Sequence, residues 1–122
     1  MTTPRRLVVK CTAGKEDAER CAQAFTVAAT AVAAGAQVSL WLTGEASWFA
    51  LPGRAEAFAL PHSAPLADLR DAVLAGGTLT VCTQCAARRD LREPDLVPGA
   101  RIAGAATFVE EALREGAQAL VY

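Results

Sequence analysis

Four cysteines are the residues of this chain best suited to chemistry: Cys11, Cys21, Cys82 and Cys85. As thiolates, cysteines attack sulfur, carry it as a persulfide, bind metals or exchange disulfides. Spacing separates these uses. Cys82 and Cys85 form a C-x-x-C, while Cys11 and Cys21 stand ten positions apart, far upstream. Only the later pair has a ligand-like spacing, and Cys21 falls on an apolar helical face, so a four-ligand zinc site is disfavoured. A redox dithiol is the stronger rival, because C-x-x-C opening a helix is its mark. His62, the lone histidine, lies between Pro61 and Ser63 in an irregular stretch. It reads as an exposed loop residue, or as a proton-transfer partner for a thiolate if that loop folds over the cysteines. A nucleotide site is disfavoured: no G-x-G-x-x-G or Walker spacing occurs, and Glu16 and Asp17 would repel a phosphate near Thr12-Ala13-Gly14-Lys15.

The elements that must hold these residues follow from pattern. Leu7 to Cys11 is a short apolar run closed by Thr12-Ala13-Gly14, a first strand. Ala18, Cys21, Ala22, Phe25, Ala29 and Val32 then recur at helical spacing, with Gly35 as the stop. Gln37 to Thr43 is a second strand, with Val38, Leu40 and Leu42 on one face and Trp41 on the other. Gly44 to Pro52 reads as a turn and short helix whose Trp48 and Phe49 face a subunit interface, and Gly53 to Ser63 as a loop. A helix follows over Pro65 to Ala75, with Ser63 as its cap, then a third strand from Thr78 to Cys82. Thr83 to Asp90 is a short helix, Arg101 to Ala103 a minimal strand, and Gln118 to Tyr122 a last strand. Between these two strands, Ala105 to Glu115 forms a helix with Phe108, Val109, Ala112 and Leu113 inward.

Strands alternating with helices imply an α/β fold: three layers, α/β/α, around a mostly parallel sheet of about five strands. Residues 1–122 read as one domain. In such a sheet the loops after each strand gather on one edge, where ligands bind. That places Cys11-Thr12-Ala13-Gly14, Thr43-Gly44-Glu45 and Cys82-Thr83-Gln84-Cys85 together. Cys82, ending a strand at a helix start, is where local partial charge favours a thiolate. Cys11 ends an apolar strand and serves either the edge or the core, whereas Cys21 reads as core.

Composition bounds the rest. Of 122 residues, 52% are hydrophobic, but 28 are alanine, which suits close helix packing. A net charge of −1 provides no positive field, so nucleic-acid or anionic-membrane binding is disfavoured. No apolar run suits a signal peptide or a membrane span, which leads to the expectation of a cytoplasmic protein.

The residues resemble the DsrE/DsrF-like sulfur-relay proteins along nearly the whole chain. The likeness rests on the T-A-G loop, the alanine-rich helix ending at Gly35, and the run from Val38 to Ala46. Its most specific part is Val81-Cys82-Thr83-Gln84-Cys85-Ala86-Ala87-Arg88-Arg89-Asp90-Leu91. Sulfur-carrying members have a cysteine here, then alanines and Arg-Arg-Gly; another branch has C-x-x-C followed by Arg-Gly. This sequence blends the two, with Asp90 in place of the glycine.

The resemblance implies a persulfide sulfurtransferase or sulfur carrier that accepts and passes on sulfane sulfur at Cys82. Cys85 matches the C-x-x-C branch and would resolve that persulfide or simply pack. Thr83, Arg88 and Arg89, with Cys11, Thr12 and Gly14, are the expected stabilisers of the anionic sulfur. The sulfur rides on the protein, so neither cofactor nor metal is expected. Implied partners are a sulfur-donor or acceptor protein and further copies of the chain, as a trimer or hexamer. Two other readings stay open: a non-catalytic oligomeric scaffold on the same fold, and a Cys82/Cys85 dithiol redox module.

Overall fold

A computed structural model describes residues 3–122. Five strands form one parallel sheet: β1 (Arg6–Cys11), β2 (Gln37–Leu42), β3 (Thr78–Cys82), β4 (Arg101–Ala103) and β5 (Ala117–Val121), in the spatial order β4-β3-β2-β1-β5. The helices are α1 (Ala18–Ala33), α2 (Leu66–Gly76), α3 (Thr83–Arg88) and α4 (Ala105–Ala112). The first four strands step across the sheet in one direction, and α4 carries the chain back to the opposite edge. The result is the three-layer α/β/α arrangement. No helix among the described residues is long and apolar enough to cross a membrane.

The two faces of the sheet differ sharply. Val9, Cys11, Leu40, Leu42, Leu79 and Val81 alternate onto one face and join Cys21, Phe25 and Ala28 of α1 and Leu66 and Val73 of α2 in a continuous core. Alanines at Ala24 and Ala28 are fully buried, so α1 lies close against the strands. The opposite face presents Lys10, Ser39, Trp41, Thr80 and Arg101, and α4 packs across it. Phe108 meets Trp41 edge-on at 5.4 Å, and the Lys10 ammonium sits 4.1 Å from the Phe108 ring centre. Glu111 Oε1 accepts from Ser39 Oγ (2.6 Å) and Trp41 Nε1 (3.0 Å). Its Oε2 pairs with Arg101, whose Nε donates to Thr80 Oγ1 at 2.7 Å. Burial pushes the Glu111 carboxyl up, but hydrogen bonds from Ser39, Trp41 and Arg101 outweigh it and hold the group below its ordinary range.

That clamp corrects the expected orientation of α4. Phe108 and Glu111, three positions apart, share the inward face. Val109 and Leu113 are therefore turned outward, with Leu113 79% exposed. The helix also stops at Ala112 rather than Glu115. Phe49 is corrected as well. The segment Gly44–Ala50 is a 3₁₀ helix, so every third residue shares a face. Ala46 and Phe49 point inward, and Phe49 meets Phe25 at 6.3 Å and Phe58 at 5.4 Å in edge-to-face geometry. Phe49 is core, and only Trp48 stays at the rim. Ser63 does not cap α2, which opens at Leu66 behind Pro65; its hydroxyl donates to the Ala64 carbonyl instead.

Candidate functional site

The loops after β1, β2 and β3 meet at the carboxyl edge through their backbones. Gly14 lies so close to the β2 loop that a Cβ there would stand 2.6 Å from the Glu45 carbonyl oxygen. Gly44 takes a left-handed φ of 54°, which glycine alone adopts without strain, and lies under the Thr12 carbonyl. Thr43 N–H donates to the Cys11 carbonyl at 2.9 Å, tying the two strand ends together. Gly44 N–H in turn donates to Cys85 Sγ at 3.3 Å. A chain of contacts thus runs from the T-A-G loop through Gly44 to the second cysteine of the C-x-x-C.

The four thiols have different surroundings. Cys82 ends β3, immediately precedes α3, and is the only cysteine of the four that is not buried. Its Sγ–H donates to Gln84 Oε1 at 3.3 Å. Cys85, on α3, is 8% exposed and receives the Gly44 N–H. Cys11 and Cys21 are fully buried side by side, with the Cys11 thiol 3.9 Å from the Cys21 carbonyl. Cys11 Sγ also donates to the Ala13 carbonyl at 3.2 Å. The neighbouring Cys11 thiol, together with burial, pushes the Cys21 thiol far above the ordinary thiol range. Cys11 and Cys21 therefore stand in the core beneath the edge.

The remaining expected site residues divide in the same way. Thr83 is exposed at the first turn of α3, where a methyl group on Gly104 would come 3.5 Å from its Oγ1. The start of α4 therefore borders Cys82, whose register partner is Ala103. Arg88 faces solvent at the end of α3. Arg89 is committed: its Nε and Nη2 both donate to Glu45 Oε2, at 3.0 and 2.9 Å, and its Nη1 to the Cys85 carbonyl at 3.1 Å. Thr12 Oγ1 donates to the Tyr122 carbonyl at 2.5 Å, which binds β5 to the T-A-G loop. Asp90, after α3, adopts φ 55°. The turn there is left-handed, in a residue that tolerates it better than most.

His62 lies elsewhere. It lines a cavity of about 590 Å³ with Glu19, Gln23 and Tyr122, and no cysteine borders that space. Glu45, expected at this edge, brings Trp48 to it, and the buried Ser47 between them is a residue that the sequence did not single out. Arg89, then Trp48 Nε1 (3.0 Å), hydrogen-bond to the Glu45 carboxylate and hold it below its ordinary range. The signal available beforehand was Thr43-Gly44, a strand end followed by a glycine whose backbone can approach a neighbour.

Comparison with known proteins agrees with this architecture. The DsrE/DsrF-like family matches residues 5–122. The ychN protein from E. coli superposes with a TM-score of 0.80 at 14% identity, covering 97% of this chain and 99% of that one. A protein of unknown function, MTH1491 from Methanobacterium thermoautotrophicum, gives 0.73 at 11% identity, over 97% and 99% of the two chains. A conserved protein of unknown function, BT1422 from Bacteroides thetaiotaomicron, gives 0.62 at 14% identity, over 96% and 94%. At such identities the likeness is one of fold. No curated protein matches the chain significantly. With the family match running from the first strand through the last, the chain belongs to the DsrE/DsrF-like family.

Proposed function

We propose that this protein is a sulfur carrier that accepts sulfane sulfur on Cys82 and hands it to an acceptor thiol. One observation carries the reading: of four cysteines, Cys82 alone is open to solvent, and it stands at the carboxyl edge of the sheet. The Cys82 thiolate attacks the terminal sulfur of a donor persulfide. A new S–S bond forms at Cys82, the donor's S–S bond breaks, and the donor leaves as its thiolate. Delivery repeats the step with an acceptor thiolate as the attacking group. Free cysteines in a carrier require a reducing compartment, so the proposed setting is the cytoplasm. Family membership supports a sulfur-relay role and residues 1–122 as one domain.

The same proposal includes self-association, as the trimer or hexamer that the family resemblance implies. Val109, Leu113, Leu120 and Val121 are exposed on α4 and β5, which are neighbours at one sheet edge. Intact-mass analysis after incubation with a low-molecular-weight persulfide tests the carrier reading. One added sulfur atom is expected in the wild type and, over the same brief exposure, far less loading of Cys82→Ser. Equal loading of both proteins would place the sulfur elsewhere and end the assignment.

A further inference from the structure

Cys85 and Ser47 are buried groups that the single-cysteine carrier does not use. The 3₁₀ helix Gly44–Ala50 sorts its residues into three rows. Ala46 and Phe49 form the row toward α1, and Glu45 and Trp48 the outer row, joined by their hydrogen bond. Gly44, Ser47 and Ala50 form the third. At one end of this row Gly44 N–H donates to Cys85 Sγ, and at the other the Ala50 carbonyl accepts Val97 N–H at 2.8 Å. Ser47 stands between them, fully buried, and its hydroxyl has no hydrogen-bond partner among the described residues. An orphan buried hydroxyl costs free energy and marks a place where an acceptor belongs. Gly44, one turn before Ser47 in this row, already reaches the Cys85 sulfur, and a second sulfur on Cys85 would extend about 2 Å further, one S–S bond length.

We infer that Cys85 is a second sulfur station, at which the persulfide passed inward from Cys82 is held out of solvent by Gly44 N–H and Ser47 O–H. This rests on the proposed loading of Cys82. Cys82 immediately precedes α3 and Cys85 lies three positions on, the spacing that makes residues neighbours along one side of a helix. The step balances without a co-reactant. Cys85 as thiolate attacks the terminal sulfur of the Cys82 persulfide. An S–S bond forms at Cys85, the S–S bond at Cys82 breaks, and Cys82 departs as thiolate to take the proton that Cys85 gave up. No atom is oxidised or reduced overall. Attack on the inner sulfur would instead give a Cys82–Cys85 disulfide and release sulfide, and the carrier would lose its cargo.

The test is peptide mapping of the full chain after brief exposure to cysteine persulfide, with alkylation to fix each sulfur in place. In the wild type most of the bound sulfur is expected on Cys85, and in Cys82→Ser its arrival there is expected to slow at least about tenfold. In Cys85→Ser the sulfur stays on Cys82. Ser47→Ala is expected to lower the share held by Cys85 about tenfold, the factor set by one hydrogen bond to a charged group. Its melting temperature is expected to be unchanged or higher, because the hydroxyl it removes has no partner in the resting protein. Wild-type sulfur confined to Cys82 overturns the second station and leaves the Cys82 reading standing. So does an unaltered distribution in Ser47→Ala, or a Cys82–Cys85 disulfide with free sulfide. Failure of Cys82 to load in Cys85→Ser overturns the underlying carrier reading, and the second station with it.

Discussion

Replacing Glu111 tests the clamp that holds α4 across the polar face of the sheet. Its carboxylate serves three donors: Ser39 Oγ, the indole N–H of Trp41 and the Arg101 guanidinium. In Glu111→Gln the amide oxygen still accepts from Ser39 and Trp41, but the amide nitrogen confronts Arg101, donor against donor. A hydrogen bond to a charged group is worth about 1.5–3 kcal/mol. Arg101 is 36% exposed at its side chain, so solvent screening reduces this to about 1–1.5 kcal/mol. Glu111→Ala also strands the Trp41 indole, which is 1% exposed. That adds about 1–3 kcal/mol, for a total near 3 kcal/mol. Urea unfolding followed by tryptophan fluorescence reads both variants. With a denaturant slope of about 2 kcal/mol per molar, the midpoints fall by roughly 0.6 M and 1.5 M. The pH dependence supplies the sign. A carboxyl held below its ordinary 4.5 contributes stability that is full above that value and lost as pH falls through the folded one. Wild type is therefore expected to lose this increment in acid, whereas Glu111→Gln does not. A midpoint shift under 0.2 M in Glu111→Ala, with an unaltered acid limb, refutes the clamp.

Other perturbations bear on the site and its assembly. Gly14→Ala drives a methyl group into the Glu45 carbonyl, where backbone meets backbone, and is expected to cost about 1–3 kcal/mol in denaturant unfolding. Asp90→Gly relieves a left-handed residue and is expected to raise the melting temperature by a few degrees, since the strain removed, about 1 kcal/mol, exceeds the unfolded-state entropy gained. Val109→Asp with Leu113→Asp places charge on the exposed face of α4 and is expected to lower the mass measured by light scattering to that of one chain.

The sheet and its edge were legible because strands with loops such as Thr12-Ala13-Gly14 and Thr43-Gly44 announce themselves by apolar runs and turn residues. Topology then brought Cys82 to the carboxyl edge. What pattern could not show was the partner of each polar side chain. Glu111 looks like a surface residue of a helix whose apolar stripe contains Val109 and Leu113. A Trp41 indole seeking an acceptor reverses that choice. Arg89 was expected to steady sulfur, but Glu45 and the Cys85 carbonyl occupy its guanidinium. Phe49 was read as interface because the three-residue period of its helix, which pairs it with Ala46 against Phe25, was not visible from an α-helical template.

The most direct measurement follows radiolabelled sulfur from a persulfide donor, through this protein in substoichiometric amount, to a small-molecule thiol acceptor. Wild type is expected to speed transfer above the uncatalysed exchange, with labelled protein forming and decaying at the rate of turnover. Cys82→Ser is expected to return the reaction to the background rate. Transfer at the wild-type rate by Cys82→Ser, or labelled protein that never discharges to the acceptor, would contradict a carrier acting through Cys82.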